Sequence, residues 1–83
     1  MKNPKGGCVK KVEPTKNYEL ILTFEYGERR IMDMKPLLKD PMNEPLRNLS
    51  FFLKAYVVCD SVGWNEDIDI APEFLYEESV PLD

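Results

Sequence analysis

The fold is decided by residues 18–34, which read YELILTFEYGERRIMDM. The first half alternates between an apolar set and a more polar set, which are Tyr18, Leu20, Leu22 and Phe24 against Glu19, Ile21, Thr23 and Glu25. This period of two predicts a strand with one face in the core, and residues 30–34 alternate again. Gly27 can take the positive φ of a turn, so the stretch predicts a β-hairpin. Its loop is either Tyr26-Gly27 or longer, because tyrosine is a poor first residue in a two-residue turn.

The flanking segments predict a third strand and short helices. Residues 8–14 form a short strand ended by a proline, although its apolar members Val9 and Val12 are three residues apart and break strict alternation. Prolines at positions 36, 41 and 45 exclude a long helix. They allow a helical turn over residues 36–39 and a second helix from Glu44, with Pro45 in its first turn.

The C-terminal third predicts one or two later strands and a closing helix that starts at Pro72. Its apolar residues are expected to complete the core, and they are Trp64, Ile68, Ile70, Phe74 and Leu75. The fold class is therefore α+β: a small antiparallel sheet, built from a three-stranded meander plus one or two later strands, covered by a short mid-chain helix and a short C-terminal helix. We expect one domain over residues 1–83, with residues 1–7 as a flexible tail and residues 8–79 as the folded core.

Length and composition predict a small folded domain without a membrane helix. A chain of 83 residues with 43% hydrophobic residues is typical of one small folded domain. Cys8 and Cys59 are too far apart in sequence for a metal or redox pair, so reduced thiols in a cytoplasmic protein are expected. No apolar stretch approaches the roughly 20 residues of a membrane helix, and the basic N-terminus lacks the apolar region of a secretory signal.

Charge is separated along the chain. Residues 1–16 carry five lysines and one glutamate, whereas residues 66–83 carry seven acidic and no basic residues. This polarity could be satisfied within the fold, between copies of the chain or by a basic protein partner, and an unpaired edge strand would make a homodimer easy. Nucleic acid is not favoured as a partner, because the basic segment has no interleaved aromatic residues.

The acidic run WNEDIDIAPEFLY at residues 64–76 raises the question of a metal or acid/base site. Asn65, Asp67 and Asp69 have the spacing that opens an EF-hand loop, but the glycine and the glutamate that such a loop needs are missing. The chain contains no histidine, the commonest general base and zinc ligand. We therefore predict no catalytic, cofactor-binding or metal-binding residues, and interpret the carboxylates as solvated.

Other side chains in the chain could contact a partner. Arg29 and Arg30 could form an anion site with Lys35, although consecutive residues on a strand face opposite sides. Cross-strand pairing of one of the two arginines with Glu19 or Glu25 would be the simpler use. Trp64 could be an interaction hot spot or a core residue under the last helix. The candidate partner-binding residues are Glu66, Asp67, Asp69, Trp64 and Arg30.

The order of these segments resembles a family of small bacterial proteins, the domain of unknown function numbered twenty-four forty-two. The resemblance rests on Phe24, Gly27 and Arg30 in the hairpin and on the run from Trp64 to Tyr76. It implies an α+β fold with no established activity or cofactor. It also implies a neighbouring gene for another small protein, as in toxin–antitoxin pairs.

Three functions stay open from the sequence. The favoured one is a non-enzymatic protein-interaction domain, as the accessory or antitoxin-like half of a two-protein module. The alternative is a dimeric regulator that touches nucleic acid through the lysine-rich N-terminus, and the third is a small acid/base hydrolase that uses Asp67 and Asp69.

Overall fold

A computed structural model describes residues 8–58, 61–65 and 68–82, and at residue 69 it describes the backbone alone. The described residues form seven strands in two antiparallel sheets, with two α-helices and two 3-10 helices. The first sheet contains β1 (Val9–Pro14), β2 (Glu19–Phe24), β3 (Arg29–Asp33) and β7 (Val80–Pro81), and the second contains β4 (Tyr56–Val58), β5 (Ser61–Gly63) and β6 (Asp69–Ile70). The helices are α1 (Leu49–Phe52), α2 (Pro72–Glu78) and 3-10 helices at Lys35–Lys39 and Pro41–Arg47. The α+β class and the antiparallel meander predicted from the sequence are confirmed.

A β-bulge explains the irregular pattern of the first strand. Val9 lies opposite Phe24 and Lys11 lies opposite Thr23, so the register shifts between these two pairs. The extra residue turns both Val9 and Val12 toward the core side, which a regular strand cannot do for residues three apart. Val9 is fully buried as a result, and Val12 packs against the core.

The β2–β3 hairpin uses the longer of the two loops that the sequence allowed. The backbone N–H of Gly27 donates to the Phe24 carbonyl at 2.9 Å, and the N–H of Phe24 donates to the Glu28 carbonyl at 2.8 Å. Three residues therefore separate the paired ends, and Gly27 takes a φ of 88°. A turn followed by a residue of positive φ is a common solution when the two-residue turn lacks asparagine or aspartate.

The proline-rich middle of the chain folds as three short helical pieces instead of the helical turn and one short helix from Glu44 that the sequence predicts. Pro41–Arg47 is a 3-10 segment kinked at Asn43, and Asn48 then returns to an extended conformation. The Asn48 side chain accepts a hydrogen bond from the Phe51 N–H at 3.3 Å, so it caps α1. The predicted helical turn over residues 36–39 is present within the first 3-10 helix.

The later strands differ from the sequence-based expectation. Three of them form a separate sheet in the order β4-β5-β6, and the fourth, β7, pairs with β3 and widens the meander. Strand β7 lies just past the expected core end at residue 79 and has only two residues, too few for a readable alternation.

One apolar core joins the two sheets and the helices. Its buried members are Val9, Leu20, Leu22, Phe24, Met32, Met34, Leu46, Phe52, Val62, Trp64, Ile68 and Leu75. Residues from β2 and β3 in this cluster all lie on one face of the first sheet, so the helices and the second sheet cover that face. No helix among the described residues is long and apolar enough to cross a membrane.

Candidate protein-binding surface

The acidic residues singled out in the sequence are only partly visible in the structure. Glu66 and Asp67 lie outside the described residues, and so does Cys59. Asp69 is described by its backbone, which pairs with Gly63 in the second sheet. Their role in binding a partner stays a prediction.

Arg30 is buried, with 9% of its surface exposed, and it is the centre of a polar network inside the chain. Its Nε donates to Ser79 Oγ at 2.7 Å, its Nη2 donates to the Ser79 carbonyl at 2.7 Å, and its Nη1 donates to Glu28 Oε2 at 2.9 Å. The guanidinium also stacks 4.0 Å from the centroid of the Tyr76 ring, and the Tyr76 hydroxyl donates to Glu28 Oε1 at 3.0 Å. The network ties the end of α2 to the β2–β3 hairpin.

Of the two arginines expected to share Glu19 or Glu25, Arg30 is not the one that pairs with either of them. Residues two apart on a strand share a face, so Glu28 reaches Arg30 along the same strand edge, whereas the residue directly opposite Arg30 is Leu22. Glu25 instead accepts a hydrogen bond from the backbone N–H of Cys8.

Trp64 packs in the core, one of the two positions considered for it. Its side chain is 4% exposed, and its ring stacks on Phe52 with centroids 6.0 Å apart. The indole Nε1 donates to the Phe52 carbonyl at 2.8 Å, so the polar atom of the ring is satisfied inside the chain. Phe52 also contacts the ring of Tyr18 at 5.0 Å, which connects the second sheet to the start of β2.

A different surface, on α2, collects exposed charge and an exposed aromatic ring. At about 100° per residue, the seven residues of the helix divide into a core side with Pro72, Leu75 and Tyr76 and an outer side. The outer side, called the acidic helix face below, consists of Glu73, Phe74, Glu77 and Glu78, and all four residues are exposed. Phe74 keeps 37% of its surface exposed, whereas the adjacent Leu75 is fully buried.

The assignment of Phe74 to the core is therefore wrong. Three consecutive apolar residues on a helix span about 200°, so they cannot all point to the same side. With Leu75 in the core and Tyr76 at its border, the helical period turns Phe74 outward. The helical spacing of these residues is readable in the sequence, and it identifies Phe74 as a surface residue missing from the sequence-based list of partner-binding candidates.

Two arrangements of charge on the acidic helix face oppose α2, although Glu73 in the first turn suits the helix dipole. Glu73 and Glu77 are four residues apart, a spacing at which like charges repel on a helix surface. Glu77 and Glu78 lie in the last turn, where the helix dipole favours cations, and that turn contains no basic residue. An external cation would relieve both effects.

Two observations describe the polar groups within residues 8–58, 61–65 and 68–82. No group of three or more metal-ligating side chains comes together there, and every buried side-chain nitrogen or oxygen has a hydrogen-bond partner. The described surface offers charge and an exposed ring, which are features of protein recognition.

Comparison with known families agrees with the resemblance seen in the sequence. The family described as protein of unknown function (DUF2442) matches residues 9–81. Since this match spans both sheets and α2, the chain belongs to that family, for which no activity is described. Searches of curated proteins and of solved structures gave no match.

Proposed function

We propose that this chain is a non-enzymatic protein-interaction domain, the accessory or antitoxin-like half of a two-protein module, and that it binds a basic partner through the acidic helix face. The observation that carries the proposal is the exposure of Phe74, at 37%, in the middle of acidic side chains. An exposed aromatic side chain surrounded by glutamates fits a partner that has a pocket lined by lysine or arginine.

The energetics of the acidic helix face support this proposal. Among the described residues, neither Glu73 nor Glu78 forms an ion pair. A basic partner would neutralise carboxylates that repel each other in the free chain, and it would increase the association rate at low salt.

The first experiment is co-expression with the product of the neighbouring gene, followed by affinity capture of the complex. Phe74→Ser and Glu78→Lys are expected to weaken the complex at least tenfold each, and the wild-type complex is expected to weaken as salt rises. If the neighbour is toxic to growth, co-expression of this chain should restore growth, and both variants should restore it less.

Two matched controls separate this surface from general effects on the chain. Met42→Ser removes another exposed apolar side chain, 79% exposed in the second 3-10 helix. Glu44→Lys reverses an exposed charge in the same helix. Both controls should bind as the wild type does. The proposal fails if no complex forms, or if the controls weaken the complex as much as the α2 variants do.

A further inference from the structure

The face of the four-stranded sheet that points away from the core carries a row of apolar residues. Strand pairing places Ile21 opposite Ile31, and Ile31 opposite Val80, so the three side chains lie side by side across β2, β3 and β7. Val80 is 57% exposed, and Ile21 and Ile31 are half-buried without packing against the core. Alternation requires this placement, because their neighbours Leu20, Leu22 and Met32 are buried on the other face.

No described helix covers this row. The helices contribute Leu46, Phe52 and Leu75 to the core, and these residues pack on the opposite side of the sheet. We call the uncovered side the open sheet face, and its members are Lys11, Glu13, Glu19, Ile21, Thr23, Arg29, Ile31, Asp33 and Val80. The water-facing side of an antiparallel sheet is usually polar, so an apolar row there marks a candidate contact surface.

Opposite charges flank the apolar row. Lys11, Thr23 and Arg29 form the neighbouring row on one side, through the pairings Lys11 with Thr23 and Thr23 with Arg29. Glu19 and Asp33 lie opposite each other on the other side, where Asp33 also forms an exposed ion pair with Lys35 at 3.2 Å. The open sheet face is thus basic along one flank, apolar in the middle and acidic along the other flank.

We propose that this face binds a second copy of the chain, with a two-fold axis along the row of Ile21, Ile31 and Val80. A rotation of 180° about this axis turns the second copy over. Its basic flank then lies against the acidic flank of the first copy. Arg29 then faces Asp33 of the second copy, while Ile31 meets Ile31 and Val80 meets Val80. A closed dimer needs a patch that is complementary to itself, and this charge order satisfies that condition.

Other arrangements of the chain and other occupants fit less well. A two-fold axis parallel to the strands would place the basic flank against itself. A basic partner, such as the one proposed for α2, would meet Lys11 and Arg29. Glu13 in β1 lies opposite Ile21, at one end of the apolar row, and its carboxylate forms an ion pair with Lys11 at 3.1 Å. The sheets would pack face to face in the aligned manner of a β-sandwich.

The two surfaces lie on opposite sides of the first sheet, since α2 packs on the core side. The dimer therefore does not depend on the proposed function, and each copy could bind a partner while dimeric. If both surfaces are occupied, the complex contains two copies of this chain and two partner molecules.

Analytical ultracentrifugation of the full chain over a concentration series tests the dimer. Val80→Glu introduces a charge at an exposed position and should weaken dimerisation at least tenfold without loss of folding. Phe74→Ser alters an exposed apolar residue outside this face and should leave the dimer unchanged. The proposal is overturned if the wild type stays monomeric up to about 1 mM, where even an affinity of about 4 kcal/mol would be visible, or if Val80→Glu leaves the dimer unaffected.

A charge exchange tests the orientation of the two copies. Arg29→Asp and Asp33→Arg should each weaken the dimer, and the double variant should recover most of the loss, because each new charge then faces its opposite. Circular dichroism and urea unfolding confirm that the variants are folded. Weakening that the double variant does not reverse would exclude the proposed axis.

Discussion

Replacement of Arg30 by methionine is expected to destabilise the chain by about 3 kcal/mol. Loss of one partner of a buried ion pair costs roughly 3–5 kcal/mol, and stacking on an aromatic ring such as Tyr76 adds about 0.5–2 kcal/mol. The Glu28 side chain, however, is 37% exposed, so water can solvate the carboxylate left behind and the expected loss lies at the low end. Ser79 would lose the donors to both its hydroxyl and its carbonyl.

Urea unfolding followed by circular dichroism measures this loss, and for a domain of this size it corresponds to a fall in Tm of roughly 12–24 °C. Arg30→Lys should give an intermediate loss, because one ammonium cannot reproduce the three bonds of the guanidinium fork. Arg29→Met is the matched control: its side chain is exposed, so at a dilution where the chain is monomeric it should change the free energy of unfolding by less than about 0.5 kcal/mol. Stability of Arg30→Met equal to that of Arg29→Met would refute the structural role of the network.

Three further substitutions test individual features. Gly27→Ala should lower the free energy of unfolding by about 1 kcal/mol through backbone strain alone. Gly27 has a φ of 88°, and a Cβ added there meets no atom within 4 Å. A loss above about 3 kcal/mol in urea unfolding would show that the added methyl group does meet other atoms. The backbone N–H of Lys35 holds the pKa of the Asp33 carboxyl below its ordinary value, so Asp33 stabilises the fold above its unfolded pKa of about 3.9 and loses that effect as pH falls through the lower folded value. Asp33→Asn should therefore flatten the acid side of the stability curve below pH of about 4, and an unchanged curve would count against the bond. Trp64→Phe should cost about 1–3 kcal/mol, because the Phe52 carbonyl loses the indole donor, and calorimetry showing no change in Tm would refute that hydrogen bond.

The hairpin and the core side of its strands could be predicted because a period of two fixes which face each side chain takes. Leu20, Leu22, Phe24 and Met32 are buried as the alternation requires. Even the irregular Val9 and Val12 spacing had a structural meaning, since a bulge restores both to the core side.

The surfaces were harder to predict, because they depend on contacts between distant segments. Pairing of Val80 with Ile31 creates the apolar row, yet β7 is too short to be recognised and comes 49 residues after its partner in the chain. The Arg30 network joins residues of the hairpin to Tyr76 and Ser79, and no local pattern shows which carboxylate an arginine will reach. Phe74 is the exception, because helical spacing alone could have placed it outside.

The polar network and the acidic helix face are linked through the way α2 is attached to the fold. Leu75 is the buried apolar residue of this seven-residue helix, so apolar burial alone orients α2 weakly. The bonds from Arg30 to Ser79 and from Tyr76 to Glu28 fix the end of the helix to the hairpin at two points. Like-charge repulsion among the outer glutamates opposes the helix, and the network offsets it. The buried Arg30 therefore holds Phe74 and its neighbouring carboxylates in one orientation, which the proposed binding of a basic partner would require.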